Sequence, residues 1–419
     1  MSTTDMPEWE EQKQLLHERI VRELDLSGEV SDEMIGKVID NCLMDETNLS
    51  GFSLADKIRM RTELFNSLRR LDVLTELLSD PSVTEVMVNG CDDIYVEREG
   101  CLVKTDKHFS SEEKLRAVIQ QIVAKCNRRI NDAEPIVDAR LTDGSRVNIV
   151  LPPVSLSGPV ITVRRFPEHI LTMEELSERG SFERELLPVF EAFVRAKYNI
   201  VISGGTGCGK TTFLNALSGY IPPDERIITI EDSAELQLQG IPNLVRLECR
   251  NANVSGEQEI TIRDLIKTSL RMRPTRVVVG EVRDAAAIDM LQAMQCGHDG
   301  SISTAHANSA EDTVSRLETM VLMGMDIPLA AVKKQITQAV DIIIHLGRLR
   351  DRSRRVLSVS EVKGMEKNDI VLNKLYEFTE TGESEGHVLG YLRKVNNLLH
   401  IDKLLYTGNM ELYKKGERA

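Results

Sequence analysis

The chain has 419 residues and a formal net charge of −14, from 52 lysines and arginines against 66 acidic residues. This acidic balance disfavours a protein that coats nucleic acid nonspecifically, because such binding comes largely from clustered basic side chains. The seven cysteines show no C-x-x-C spacing, which disfavours a zinc site or a disulfide framework, and no apolar run is long enough to predict a transmembrane helix.

The first 70 residues carry apolar side chains at helical spacing among many charged ones. They predict a helical N-terminal extension over 1–70, which would be either an adaptor for a partner or a small cap on the next domain. Residues 1–11 are acidic and lack the basic and then apolar start of a secretory signal, so we expect a cytoplasmic protein.

Residues 71–166 change to short strands separated by Asn-Gly and Asp-Gly turns, which predicts a smaller α+β N-terminal lobe. The expected strands are 83–88, 94–98, 136–141, 146–150 and 160–165. A helix starting at Ser110, which would form a capping box with Glu113, is predicted to run to residue 124. A linker is expected at 167–172.

Four arginines lie at the strand ends of this lobe: Arg140, Arg146, Arg164 and Arg165. The guanidinium group is the side chain best suited to forked recognition of phosphate. Arg140 and Arg146 flank a tight turn, so they could point at one ligand. A set of solvated charges at the edge of a sheet would explain the spacing equally well.

Residues 199–212 form the most informative stretch of the chain. An apolar strand at 199–203 runs into glycines and then into a helix, which matches G-x-x-x-x-G-K-[ST] in its required context. Backbone N–H groups of such a loop surround an anion at a helix N-terminus. Lys210 is expected to reach the β and γ phosphates of ATP, and the Thr211 hydroxyl to bind Mg²⁺. The predicted phosphate-binding residues are Gly204, Gly205, Thr206, Gly207, Cys208, Gly209, Lys210, Thr211 and Thr212, with Cys208 contributing only its backbone.

Residues 173–350 alternate strands and helices, as a parallel α/β sheet requires. The expected strands are 199–203, 226–230, 244–247, 276–279, 300–304 and 341–346, and the expected helices are 210–218, 261–271, 285–295, 310–323 and 328–339. Residues 351–419 form a C-terminal extension with strand-like runs at 356–362 and 370–378 and a weakly patterned tail.

Two of these strands end in acidic residues, at the edge where open α/β sheets place ligand chemistry. Glu231 ends the first strand and is the candidate for orienting the attacking water. Glu281 follows the second strand and would act through Mg²⁺-bound water or orient the water itself. Gly280 stands before it, where many P-loop proteins carry an aspartate.

His306 follows the strand at 300–304 and could donate to the γ-phosphate, although a lone histidine is more often structural. One of four nearby arginines could stabilise charge in the transition state, and the sequence does not assign which. These arginines are Arg271, Arg273, Arg276 and Arg283.

Together the motifs resemble the type II/type IV secretion-system ATPases, most closely the CpaF/TadA branch that powers Tad (Flp) pilus assembly. The resemblance covers about residues 70–380 and rests on 80–90, 94–98, 138–146, 163–166, the phosphate-binding loop, 231–232, 271–284 and 297–306. Cys208 replaces the serine common in this loop. The tetracysteine module of the main type II branch is missing, which favours the CpaF/TadA branch.

The resemblance implies hexameric rings of two-lobed subunits, with ATP and Mg²⁺ between a PAS-like N-terminal lobe and a RecA-like C-terminal lobe. Ring closure would drive work on an inner-membrane platform protein, which places the chain at the inner face of the cell membrane. The arginines at 140, 146, 164 and 165 match N-lobe residues that reach the nucleotide.

The expected function is therefore Mg²⁺-dependent ATP hydrolysis that powers pilus assembly or protein secretion. A RecA-like nucleic-acid translocase is the first alternative, disfavoured by the acidic balance and by the lack of an aromatic and basic stripe. An ABC transporter subunit would need an L-S-G-G-Q signature after the phosphate-binding loop, which is missing. A nucleotide-gated scaffold without turnover is disfavoured by the intact Lys210, Thr211, Glu231 and Glu281.

Overall fold

The computed structural model describes residues 6–24, 31–45, 52–98, 100–126, 128–166, 169–250 and 259–417. The chain divides into two compact units, 1–168 and 169–419. This boundary falls within the linker expected at 167–172, of which residues 167 and 168 lie outside the described residues. Among the described residues, no helix has both the length and the apolar character that crossing a membrane requires.

The first unit begins with three helices that share a small core of their own. They are α1 (Met6–Glu23), α2 (Asp32–Asp45) and α3 (Leu54–Arg69). Trp9, Ile20, Ile39 and Leu64 are buried in this core, at the helical spacing that the sequence shows. The helical pattern expected for residues 1–70 is thus present in the described part of that segment.

The rest of the first unit is an antiparallel sheet in the order β3-β2-β1-β6-β5-β4, counted over the described residues. Its elements are α4 (Val73–Ser79), β1 (Val83–Asn89), β2 (Asp93–Arg98), β3 (Cys101–Lys104), α5 (Glu112–Lys125), β4 (Ile136–Arg140), β5 (Arg146–Val150) and β6 (Val160–Arg164). Alternate strand residues pack against the apolar side of α5. The five predicted strands are confirmed, whereas β3 was not predicted because all its residues are exposed and show no alternation.

The start of α5 corrects one prediction. Ser111, not Ser110, caps the helix, since its Oγ accepts the backbone N–H of Lys114 at 3.2 Å. Two consecutive serines fit the capping pattern equally well, and only the backbone geometry distinguishes them.

The second unit is built on a sheet in the order β15-β14-β13-β12-β7-β11-β10-β8-β9 over its described residues. Its first half contains α6 (Met173–Glu178), a 3-10 turn (Arg184–Leu186), α7 (Leu187–Arg195), β7 (Ile200–Gly204), α8 (Lys210–Ser218), β8 (Arg226–Glu231), β9 (Asn243–Glu248), α9 (Ile262–Ser269), β10 (Arg276–Val279) and α10 (Ala286–Gln295). Its second half contains β11 (Ile302–Ala305), α11 (Ala310–Gly324), α12 (Leu329–Ala339), β12 (Ile342–Arg348), β13 (Arg354–Glu366), β14 (Asp369–Ser384), β15 (His387–Lys394), α13 (Asp402–Tyr406) and α14 (Met410–Glu417). The run from β12 to β9 is parallel, as predicted, and β13 to β15 extend it as antiparallel strands.

The C-terminal residues belong to the core of the second unit. Gly416 of α14 lies so close to α7 that a Cβ there would be 2.7 Å from Val189 Cγ2. Tyr413 is buried, and its ring centroid lies 5.8 Å from that of Phe193. The tail that looked weakly patterned therefore packs against α7.

Candidate nucleotide site

The phosphate-binding loop connects the end of β7 to the start of α8. Gly207 and Gly209 have φ of +71° and +94°, a region that favours glycine. A Cβ at Gly204 would lie 2.5 Å from Cys208 Sγ, so no larger residue fits there. Lys210 is buried inside the loop, where its Nζ donates to the carbonyl oxygens of Gly204 at 3.0 Å and Gly205 at 2.9 Å. The loop predicted from the sequence thus curls around the ammonium group.

Three predicted residues meet at the carboxyl ends of three neighbouring strands. The Nδ1 of His306, after β11, lies 3.4 Å from Lys210 Nζ, and its Nε2 lies 2.9 Å from Glu281 Oε1. The other carboxylate oxygen of Glu281 accepts from Arg283 Nη2 at 2.6 Å. The structure therefore links Lys210, His306 and Glu281 in one chain of charged and polar groups.

The charge state of His306 follows from its surroundings. Burial lowers its pKa below the ordinary value, the Lys210 ammonium lowers it further, and the Glu281 carboxylate opposes both effects. A neutral imidazole can accept from Lys210 through Nδ1 while its Nε2–H faces Glu281. His306 can thus connect a cation and a carboxylate without carrying charge.

The Glu231 carboxylate has different hydrogen-bond partners from that of Glu281. Its Oε2 accepts the backbone N–H of Glu235 at 2.6 Å and of Leu236 at 2.7 Å, and its Oε1 is buried without a hydrogen-bond partner among the described residues. Burial raises the pKa of this carboxyl. The side chain therefore holds the segment that follows β8, and none of its hydrogen bonds in the described part of the chain reaches Lys210, His306 or Glu281.

Glu231 also explains the glycine that precedes Glu281. A Cβ at Gly280 would lie 2.9 Å from Glu231 Cγ, so the side chain of Glu231 occupies the space that an aspartate would need. The departure from the common P-loop pattern is thus a packing consequence of the neighbouring strand β8.

Asp284, Arg276 and Arg283 each form contacts within the second unit. Asp284 accepts the backbone N–H of Ala286 at 2.9 Å, which suits a carboxylate at the start of α10. Arg276 is fully buried, where it pairs with both carboxylate oxygens of Glu225 and donates to Val194 O at 2.7 Å. Burial removes Arg276 from the arginines that could reach a transition state, and Arg283 already contacts Glu281.

Three of the four strand-end arginines that the sequence singled out in the first unit lie in one row. Arg140 pairs in register with Arg146 across β4 and β5, and Arg146 pairs with Arg164 across β5 and β6. Residues in register point to the same face of a sheet. Arg165 lies outside the row, and its guanidinium donates to the carbonyl oxygens of Asp80 and Val83, which ties the end of β6 to the start of β1.

His345 was missed by the sequence interpretation. Its Nδ1 lies 3.1 Å from Ser203 Oγ at the end of β7, and it also hydrogen bonds to the backbone of Asn308, two residues after His306. Burial lowers its pKa. The signal that could have found it is a single polar residue inside the apolar strand β12, directly in register with Ser203.

The model of the type II/IV secretion system protein family matches residues 68–403. The chain belongs to this family. The predicted resemblance is therefore confirmed at the level of the secretion family, and the CpaF/TadA branch remains a prediction.

Two relatives illustrate the similarity. A putative conjugal transfer protein of Mycobacterium tuberculosis is 35% identical over 318 residues, which cover 73% of this chain and 90% of that protein. The type IV secretion system protein VirB11 of Brucella suis biovar 1 is 32% identical over 327 residues, with coverage of 72% and 90%. Among solved structures, the pilus retraction motor PilT with bound ADP has a TM-score of 0.50 and 19% identity over 82% of this chain and 88% of that one, which shows a similar fold.

Proposed function

We propose that this protein is a Mg²⁺-dependent ATPase that forms a hexameric ring and powers pilus assembly or protein secretion through an inner-membrane platform protein. The protein is an ATPase of the type II/IV secretion family. The CpaF/TadA branch, a peripheral position at the inner face of the membrane and a motor that binds no nucleic acid are parts of the same proposal.

The observation that carries the proposal is the chain from Lys210 through His306 to Glu281, with separations of 3.4 and 2.9 Å. Phosphoryl transfer needs positioned charge more than covalent chemistry. Lys210 would meet the phosphates, and Glu281 would act through Mg²⁺-bound water or orient the attacking water itself. Glu231, the other candidate for orienting the water, bonds in this structure to the segment after β8. Because His306 contacts both Lys210 and Glu281, a shift of Lys210 towards a phosphate would release the ring, whose Nε2–H could then turn from Glu281 and donate to the γ-phosphate.

The donor atoms at the site fit Mg²⁺. Thr211 in the first turn of α8 offers a hydroxyl oxygen and Glu281 a carboxylate, the hard oxygens that this ion prefers. The described residues contain no group of three or more His, Cys, Asp or Glu that could hold a metal. That is compatible with an ion held by one or two protein oxygens, water and substrate phosphates. Bound there, Mg²⁺ would neutralise charge on the phosphates.

The folds of the two units support their assignment as the two lobes of a secretion ATPase. The antiparallel sheet with α5 on one side suits a PAS-like N-terminal lobe, and the parallel strands that carry the phosphate-binding loop suit a RecA-like C-terminal lobe. We assign the row of Arg140, Arg146 and Arg164 to contact with the nucleotide phosphates. Arg165 would first have to release two backbone carbonyls to join them.

The test is phosphate release from Mg-ATP, combined with nucleotide binding and light scattering. Lys210→Ala should lose tight ATP binding. Glu281→Gln should keep ATP binding and the six-fold mass, but its turnover should fall by roughly 10²- to 10⁴-fold. Glu411→Gln, which neutralises an exposed carboxylate in α14, is the matched control and should hydrolyse ATP normally.

Each alternative has its own outcome in this test. Equal turnover in Glu281→Gln and the unsubstituted protein would remove Glu281 from the reaction. ATP binding without hydrolysis by the unsubstituted protein would favour a nucleotide-gated scaffold. A monomeric or dimeric mass with and without Mg-ATP would contradict the ring.

A further inference from the structure

The turn between α11 and α12 exposes four large apolar side chains within eight residues. Leu322, Met323, Met325 and Leu329 are 43%, 67%, 41% and 44% exposed. We call these four residues the methionine turn. Contiguous exposed apolar surface marks interaction sites, and unbranched methionine adapts its shape to a partner.

The charges beside the methionine turn are mostly acidic. Glu318 lies one helical turn before Leu322, and Lys333 one turn after Leu329, so both border the apolar residues. Lys333 pairs with Asp369 at 2.6 Å, and Asp326 lies within the turn itself. Three acids, Glu318, Asp326 and Asp369, thus lie beside the surface, against Lys333, which is paired with Asp369, and the exposed Lys334.

The acidic residues beside the methionine turn indicate which kind of partner could bind it. Cytoplasmic loops of membrane proteins carry an excess of lysine and arginine, whereas the cytoplasmic leaflet itself is anionic. A basic protein segment with apolar side chains complements the methionine turn, and a lipid surface would be repelled by its acids.

The methionine turn is also in direct contact with the segment that carries Glu281. Gly324, the last residue of α11, lies so close to Ala285 that a Cβ there would be 2.9 Å from Ala285 Cβ and 3.0 Å from its carbonyl oxygen. Ala285 is the N-cap residue of α10 and lies four positions after Glu281. Packed interiors transmit displacement because they have few voids. Movement of the turn would therefore reach the loop that holds Glu281.

We propose that the methionine turn is the docking surface for a basic, apolar cytoplasmic segment of an integral membrane protein, and that docking moves Ala285 and thereby adjusts Glu281. This inference rests on the proposed function and specifies where the membrane partner acts. A second exposed apolar group, which includes Leu399, Leu405 and Tyr406, lies beside Lys403, whose Nζ bonds to Lys197 O and Asp341 at the opposite ends of the strands. It provides the matched control.

The experiment measures phosphate release by the full-length protein mixed with inner-membrane vesicles from the cells that encode it, and with protein-free liposomes of the lipids extracted from those vesicles. The native vesicles should stimulate the unsubstituted protein, Met323→Leu and the control Leu405→Glu. Met323→Glu should keep its basal turnover and lose the stimulation. Liposomes should stimulate none of them.

A second variant tests the contact with the site. Gly324→Ala adds a methyl group against Ala285, so it should still cosediment with native vesicles but lose the stimulation. A photocrosslinker at position 323 should yield a product with an integral membrane protein that carries a basic cytoplasmic segment.

The proposal is overturned if native vesicles fail to stimulate the unsubstituted protein, if Met323→Glu is stimulated as strongly, or if liposomes alone suffice. A changed ring mass in Met323→Glu would assign the turn to a contact between copies of the chain and would also overturn it. Failure of the unsubstituted protein to hydrolyse ATP at all would instead contradict the proposed function. The two failures are therefore distinguishable.

Discussion

The two ends of the parallel strands in the second unit use polar residues in opposite ways. At the carboxyl ends, Lys210, His306 and Glu281 contact one another, while Lys210 also donates to loop carbonyls and Glu281 accepts from Arg283. At the amino ends, the Asn199 side chain accepts from the N–H of Gly300 and Ser301 and donates to the carbonyls of Met294 and Ala339. These four bonds fill the capacity of an amide.

Arg276 completes the contrast. It is fully buried at the amino end of β10 and holds Glu225 and Val194 O, so its charge is matched within the protein. At the carboxyl ends, the contacts are ones that phosphate oxygens could replace. We therefore propose that one end of the sheet serves stability and the other serves turnover, although both belong to the same strands.

The strongest test of this division is Arg276→Met. Removing the guanidinium leaves buried Glu225 with only the more distant Lys197, 4.0 Å away, which should lower the free energy of unfolding by roughly 3–5 kcal/mol. Turnover per folded molecule should be unchanged. Urea unfolding followed by circular dichroism measures the first quantity, and phosphate release at low urea measures the second.

Arg195→Met is the matched control, since Arg195 forms an exposed pair with Glu191 one helical turn away. This substitution should lower the free energy of unfolding by at most about 1 kcal/mol. Equal losses of unfolding free energy in the two variants would contradict the proposal that the two ends of the strands have separate roles. A fall in the turnover of folded Arg276→Met would contradict it as well.

His345→Gln tests the role of the carboxyl ends of the strands. His345 joins Ser203 to the loop after His306, so its loss should misplace His306 and lower kcat by roughly tenfold, with little change in ATP affinity. Ser203→Ala keeps the bond from His345 to Asn308 and should have the smaller effect. A rise in KM with unchanged kcat would show that His345 does not position the reacting groups.

The smallest expected effect is a pH dependence of stability. Burial lowers the pKa of His345 below 6.5 in the folded protein, so the unfolded chain takes up a proton first as the pH falls. The stability contributed by the neutral imidazole is complete above 6.5 and is lost as the pH falls from 6.5 towards the folded pKa.

The free energy of unfolding should therefore decrease more steeply below 6.5 in the unsubstituted protein than in His345→Gln. Urea unfolding at a series of pH values measures both slopes, and the difference isolates this residue from the other histidines. Parallel curves would show that His345 is not buried in its neutral form.

Much of the fold was predictable because its signals are local. The strand at 83–88 is observed as Val83–Asn89, and the helix at 210–218 begins and ends where it was expected. Prediction failed where the local signal is weak. Strand β3 is exposed on all its residues, and α13 has only five residues, too few for a helical period to show.

The candidate site shows the same limit. The phosphate-binding loop could be predicted because its strand, glycines, lysine and helix are contiguous. The function of Arg276 was left open because the sequence cannot show that Glu225, 51 positions away, lies beside it.

By itself the sequence determined the family, the phosphate-binding loop and the acidic strand ends, since each depends on residues that are close in the chain. Only the tertiary structure decided that β12 lies beside β7, which brings His345 to Ser203 across 142 positions, and that Glu231 bonds to its own following segment. The physical reason is that strand order and burial arise from packing of the whole sheet, and no local pattern specifies which strands become neighbours.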